Sequence, residues 1–238
     1  MNYLLLIASE HKTTPEELAT MQREIPGWVE EMDGRGVRIL GRELELPETA
    51  ATVRVRGGET LVSDGPFAET KEFLAGFDLL ECGDLDEAIE VAAKHATSWF
   101  HMIEVRPFRD GLRLGEKVSA FAHMDDSAGR PYLLIMWVGD EPGADQAVID
   151  VSSAWREDVE ARGLHVLGHA LEGRDTATTV RVRDGETLLD DGPFTRTEEV
   201  IAGIEVVRCT DLRQAIELAA AHPLARSQAI EVRPFWSE

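Results

Sequence analysis

The chain predicts an α+β protein built from two ferredoxin-like repeats, and three observations carry that prediction. TVRVRGGETLVSDGPF at Thr52 to Phe67 returns as TVRVRDGETLLDDGPF at Thr179 to Phe194. IEVRPF at Ile103 returns at Ile230, displaced by the same 127 residues that separate Asp64 from Asp191. With the hairpin inside the repeated block set aside, each half reads strand, helix, strand, strand, helix, strand, which is the ferredoxin-like split arrangement. A period this long is a whole small domain, not a solenoid unit. The boundaries read 1–108 for the first repeat, 109–130 for a polar, glycine-containing linker and 131–238 for the second repeat.

The elements follow in order. Tyr3 to Ala8 is a short apolar run suited to a central strand, and Pro15 to Asp33 carries Leu18, Met21, Ile25, Trp28 and Met32 at helical spacing. Pro26 is expected to kink or divide that helix. Val37 to Leu44 forms a second strand, and Thr52 to Ser63 a hairpin with Gly57 and Gly58 at its tip. Phe73 to Cys82 is a strand, and Asp84 with Glu87 caps a helix whose apolar stripe is Leu85, Ala88, Ile89 and Ala92. Ile103 to Arg106 closes the half. The second half repeats the series with strands at Tyr132 to Val138, Leu164 to Ala170, Ile201 to Cys209 and Ile230 to Arg233. Its helices are Gln146 to Glu160 and the segment capped by Asp211 and Gln214, and its hairpin is Thr179 to Leu189.

A formal charge of −21 on 238 residues argues against direct nucleic-acid binding, which needs clustered Lys and Arg. Cys82 and Cys209 occupy the same place in each repeat, the pattern of a buried thiol and not of a disulfide framework. The opening MNYLLLIASE has too short an apolar run and no basic segment for a signal peptide, and no stretch approaches the roughly 18 apolar residues of a membrane span. A cytoplasmic protein without membrane partners is the expectation.

TVRVR, DGPF, the AGF and AGI strands, the capped Ala-rich helix and EVRPF together resemble the YCII-related family, also called DGPF-domain proteins, over nearly all of both halves. The resemblance implies a dimeric α/β barrel in which two ferredoxin-like units pack sheet against sheet, here as a pseudo-dimer within one chain, with further self-association left open. It implies a His-Asp pair in relatives proposed to be enzymes, one of them similar to muconolactone-type isomerases and dehalogenases. Other members carry a transcription-initiation label from neighbouring sigma-factor genes. The Asp matches Asp64 and Asp191. The His position, in the first helix, falls on Ile25 and Ser152, so the imidazole that would exchange protons near neutral pH is missing from both repeats.

Asp64 and Asp191 therefore have two readings, catalytic or ligand-anchoring carboxylates on the one hand and plain turn chemistry on the other. A second candidate site comes from strand alternation. Arg38, Leu40 and Arg42 oppose Val37 and Ile39, as His165, Leu167 and His169 oppose Leu164 and Val166. Asp78 and Glu205 fall on the side away from the helices, and Glu104 with Arg106 alternate against Ile103 and Val105. Either these charges satisfy one another, or Arg38, Arg42, His165 and His169, with Asp78 and Glu205, line a cavity for an anionic small molecule.

His95 and His222 end equivalent helices, where a positive charge suits the macrodipole. None of the seven histidines shows a metal-binding spacing, so no metal is expected. Trp28 and Trp155 read as core. No phosphate loop or nucleophile elbow occurs, and no cofactor is expected. The functional expectation is a small-molecule binder with acid/base isomerase, lyase or hydrolase chemistry. The alternative is a non-catalytic interaction or regulatory module of a sigma-factor pathway.

Overall fold

The computed structural model describes residues 1–67, 72–109, 129–139, 144–195 and 197–236, with the backbone alone for 144–151. Most of the linker, 110–128, lies outside the described residues. The first repeat runs β1 (Asn2–Ser9), α1 (Pro15–Gly34), β2 (Arg38–Glu43), the hairpin β3 (Ala51–Arg56) and β4 (Glu59–Asp64), β5 (Phe73–Glu81), α2 (Leu85–Lys94) and β6 (Met102–Pro107). The second runs β7 (Arg130–Val138), α3 (Ala144–Ala161), β8 (His165–Ala170), the hairpin β9 (Thr178–Arg183) and β10 (Glu186–Asp191), β11 (Val200–Cys209), α4 (Leu212–Ala221) and β12 (Ala229–Pro234).

The α+β class and the ferredoxin-like series hold in both repeats, and the chain supplies both six-stranded antiparallel sheets that the dimeric α/β barrel class calls for. Their strand orders are β10-β9-β6-β1-β5-β2 and β4-β3-β12-β7-β11-β8. Each hairpin has thus left its own repeat for the other's sheet. Ile103 of β6 pairs with Val180 of β9, and Ile230 of β12 with Val53 of β3. The two compact units follow this exchange: one holds 1–43, 70–112 and 173–196, the other 44–69, 113–172 and 197–238.

Burial holds the exchanged strands in place. Val180 and Val53 are fully buried, each in the core of the unit it joins, where an aliphatic side chain of this size contributes about 1.5 to 3 kcal/mol. An arginine at the end of each leading hairpin strand adds polar fixation. Arg56 donates to the carbonyl oxygens of Ala225, Arg226 and Ser227, at the end of the 3-10 turn Pro223–Arg226. Arg183 does the same for Ser98, Phe100 and His101 at the turn Ala96–Trp99. Carbonyls that a helical turn leaves without partners are thereby satisfied by the other repeat's guanidinium.

α1 begins with a capping box between Thr14 and Glu17 and runs through Pro26 as one helix. The division expected there does not occur; Pro26 sits on the exposed face, where its ring and the carbonyl it cannot bond are not packed against the core. Trp28 and Met32 are the buried residues of α1, whereas Leu18 is 47% exposed. The indole N–H groups of Trp28 and Trp155 donate to Val91 and Leu218 carbonyls, each at 3.1 Å. Cys82 and Cys209 are buried and unbridged, and burial pushes their thiols up to about 11 and about 12.

Candidate functional site

β2 and β8 each carry a bulge that redistributes the predicted site residues. Arg38 pairs with Leu80 and Leu40 with Leu79, so Ile39 is the extra residue; in the second repeat His165 pairs with Val207 and Leu167 with Val206. A bulge reverses the side-chain alternation beyond it. Arg38 and His165 consequently lie on the helix side, with Leu80 and Val207, and Arg42 and His169 on the opposite side, level with Phe77 and Ile204. The four cations expected on one face are divided between two.

Asp78 and Glu205 are also on the helix side, not away from it. Asp78 lies level with Leu5 and Gly41, and Leu5 packs in the core that holds Trp28 and Val91. The alternation of β5 and β11 could not reveal this, because both faces of these strands are buried and apolar on either side.

Two related polar clusters result. In the first, Arg38 Nε donates to Asp78 Oδ1 at 2.6 Å and Nη1 to Asp33 at 3.1 Å, with the guanidinium over the Trp28 ring. His95 Nε2 lies 4.0 Å from Asp78 Oδ2. In the second, His165 Nε2 meets Glu205 Oε2 at 2.7 Å, and Arg156 of α3 closes on both oxygens of the same carboxylate. Ser152, at the position expected of the missing histidine, bonds His222 Nε2 at 3.1 Å. The β2 cation of the first repeat is thus replaced by a histidine on β8 and an arginine on α3.

Glycine makes both clusters fit. A Cβ on Gly41 would lie 1.7 Å from Asp78 Oδ1, and one on Gly168 1.7 Å from Glu205 Oε2. The electrostatics differ. Burial raises the Asp78 carboxyl above its usual range, with Arg38 opposing. Burial acts the same way on Glu205, but His165 and Arg156 outweigh it and hold that carboxyl low. Burial drives His95 down to about 3 and His222 to about 4, so both are neutral. The expected positive charge at the helix ends is therefore absent; each Nδ1 instead caps the 3-10 turn that follows, accepting the N–H of Thr97 or Leu224.

The face opposite the helices holds pairs that spacing alone did not mark as functional. Glu104 and Arg106 form a buried ion pair at 2.5 Å, and Glu231 and Arg233 another at 3.2 Å. The main-chain N–H of Phe194 donates to Glu104, and that of Phe67 to Glu231, which also takes the Trp137 indole. DGPF of one repeat therefore docks on EVRPF of the other. Identity of both motifs between the halves was the signal available.

Asp64 and Asp191 end β4 and β10, and both are exposed. Their turns are held without them: Gly65 and Gly192 take φ of 92° and 110°, donate to the Ala50 and Ala177 carbonyls and accept from the Thr52 and Thr179 hydroxyls. Neither aspartate side chain makes a hydrogen bond among the described residues. Asp64 borders a cleft of about 290 Å³ lined also by Glu45, Glu48, Arg130 and Tyr132. A larger opening of about 550 Å³ lies at the tip of the β3–β4 hairpin, but its Arg56 is committed to carbonyl oxygens.

The model of the YCII-related domain matches this sequence twice, over residues 1–109 and 133–237. The chain belongs to the YCII-related family. Within it, a 65-residue stretch is 52% identical to an uncharacterised protein of Rhizobium meliloti (strain 1021), covering 26% of the chain and 52% of that relative. This YCII-related protein thus spans about half the length of the curated relative it matches. Among solved structures it is similar to "Crystal structure of Putative Chlorite dismutase TA0507", with a TM-score of 0.42 and 7% identity over 99% of this chain and 94% of that one. No helix among the described residues is long and apolar enough to cross a membrane.

Proposed function

We propose that this YCII-related protein binds a small polar molecule in the cleft bordered by Asp64. One observation carries the reading. The family's motif aspartate is exposed, its side chain makes no hydrogen bond among the described residues and is not needed by its own turn, so its carboxylate is available to a ligand. A concave wall with a few convergent polar groups is the usual form of such a site.

The lining argues against the anionic ligand expected from the strand cations. Arg38 and His165 are already engaged by Asp78 and Glu205, and in the Asp64 cleft Arg130 is held by Glu45. Asp64 and Glu48 then favour a ligand that offers positive charge or hydroxyl groups. Acid/base isomerase, lyase or hydrolase chemistry would fall to Asp64 itself, since Ile25 and Ser152 supply no imidazole.

The test is to identify small molecules that co-purify with the protein by mass spectrometry and titrate them back. Asp64→Asn, which preserves shape and removes charge, is expected to weaken binding at least ~10-fold, the cost of losing one charged hydrogen bond. Equal affinity of this variant for every retained molecule refutes the proposal.

A further inference from the structure

We infer that the first repeat carries a binding site for one divalent transition-metal ion of the zinc class, formed by His11, Glu17 and His101. One ligand atom from each lies within 4.8 Å of the others. His11 Nε2 is 3.9 Å from Glu17 Oε1, and the two imidazole centroids are 4.7 Å apart. Linear spacing hides this group because His101 comes from the loop before β6, far along the chain from the other two.

Each side chain is arranged as a metal ligand requires. His11 Nδ1 faces the Lys12 carbonyl at 3.2 Å; a proton there leaves the lone pair on Nε2, toward Glu17. Glu17 Oε2 is taken by the Thr14 N–H of the capping box at 2.7 Å, leaving Oε1 directed at His11. His101 is fully buried and fixed, its N–H bonded to Thr97 and its carbonyl to Arg183. Its ring has one hydrogen-bond partner, Thr13 at 3.1 Å on Nε2, while the buried Nδ1 has none among the described residues. With the Thr13 hydroxyl accepting from Nε2–H, the buried Nδ1 is left with a lone pair that a cation can take.

Ligand atoms around zinc stand about 2.0 to 2.2 Å from the ion, so the three must draw together slightly. The exposed His11 is able to move, and the buried His101 need not. Two imidazoles and one carboxylate suit zinc-class ions over calcium or magnesium, and three protein ligands leave a position for water. The second repeat lacks the equivalent site: Gln228 stands where it would need the counterpart of His101.

The experiment uses the full chain stripped with a chelator, zinc alone as the titrant in competition with a chromophoric chelator, and cobalt as a spectroscopic probe. The expected result is one equivalent of zinc and visible cobalt bands of a four- or five-coordinate site. His11→Ala on the surface, and Glu17→Gln, which keeps the capping box, should each raise the zinc Kd at least ~10-fold with unchanged circular dichroism. Absence of stoichiometric uptake by the native chain overturns the proposal. So does native affinity in both variants, which would place the ion elsewhere.

Discussion

The main-chain N–H of Phe67 donates to Glu231 Oε2 at 3.1 Å, so the turn closing the first repeat's hairpin is anchored on the last strand of the second. Glu231 is also the ion-pair partner of Arg233, whose side chain is fully buried. One carboxylate thus joins the exchanged hairpin to the sheet and balances a charge that has no access to water.

Removing that carboxylate should be costly. Glu231→Ala takes the Glu231 charge partner from Arg233, whose guanidinium keeps the Glu45 carbonyl, and leaves the Phe67 amide and Trp137 indole without this acceptor. The expected loss is about 3 to 5 kcal/mol, that of breaking one side of a buried pair. Glu231→Gln keeps an acceptor and should lose less. Urea unfolding monitored by tryptophan fluorescence gives both values, and a loss under about 1 kcal/mol for the alanine variant would contradict this account.

Gly168→Ala should destabilise the chain by about 2 to 4 kcal/mol, because the new methyl falls on the Glu205 carboxylate and displaces it from His165 and Arg156. In a Glu205→Ala background the carboxylate clash is gone and the cost should fall, although the Ile204 carbonyl oxygen, 2.8 Å from the new methyl, still resists it. A double-mutant cycle is expected to return a coupling of about 0.5 to 3 kcal/mol. Strict additivity would show that the glycine is not there to admit the acid.

Acid should weaken the fold before ordinary carboxylates titrate. His95 and His222 have folded-state values of about 3 and about 4, below the ordinary 6.5, so the unfolded chain binds their protons first. Their stability contribution is complete above pH 6.5 and is lost as pH falls toward the folded values. At pH 5 the loss is about 2 kcal/mol for each histidine, from the 1.36 kcal/mol carried by one pKa unit. Asp78 works in the opposite sense: raised by burial, it favours the fold as pH falls through its own titration range. Glu205, held low, adds stability above pH 4.5 that is lost only in stronger acid. Unfolding curves at pH 7 and pH 5 should show the drop, and His222→Asn, which keeps a cap acceptor, should reduce it by about half.

The fold was legible because its evidence is local. Caps at Asp84 and Asp211, the short apolar runs of β1 and β7, and the repeated blocks all lie in short windows. The exchange of hairpins was not, since Val53 and Val180 look alike and nothing in either neighbourhood says which strand each will meet. The bulges at Ile39 and Val166 were equally silent. One extra residue in each strand moved Arg38 and His165 to the side opposite Arg42 and His169, and with that the expected cation face was lost. Alternation in β6 marked Glu104 and Arg106, and the identical EVRPF extends that reading to Glu231 and Arg233. His11 and His101 could not, because only the folded chain brings them together.

The hairpin exchange also bears on how the two halves can change over generations. DGPF meets EVRPF, and Arg56 or Arg183 meets its 3-10 turn, always across the repeats, so a substitution in one half must suit a partner encoded in the other. Asp78 with Arg38 and His95, and Glu205 with His165, Arg156 and His222, each lie wholly inside one repeat. Each shared block is thus tied to a partner in the other half, and each helix-side cluster only to partners in its own.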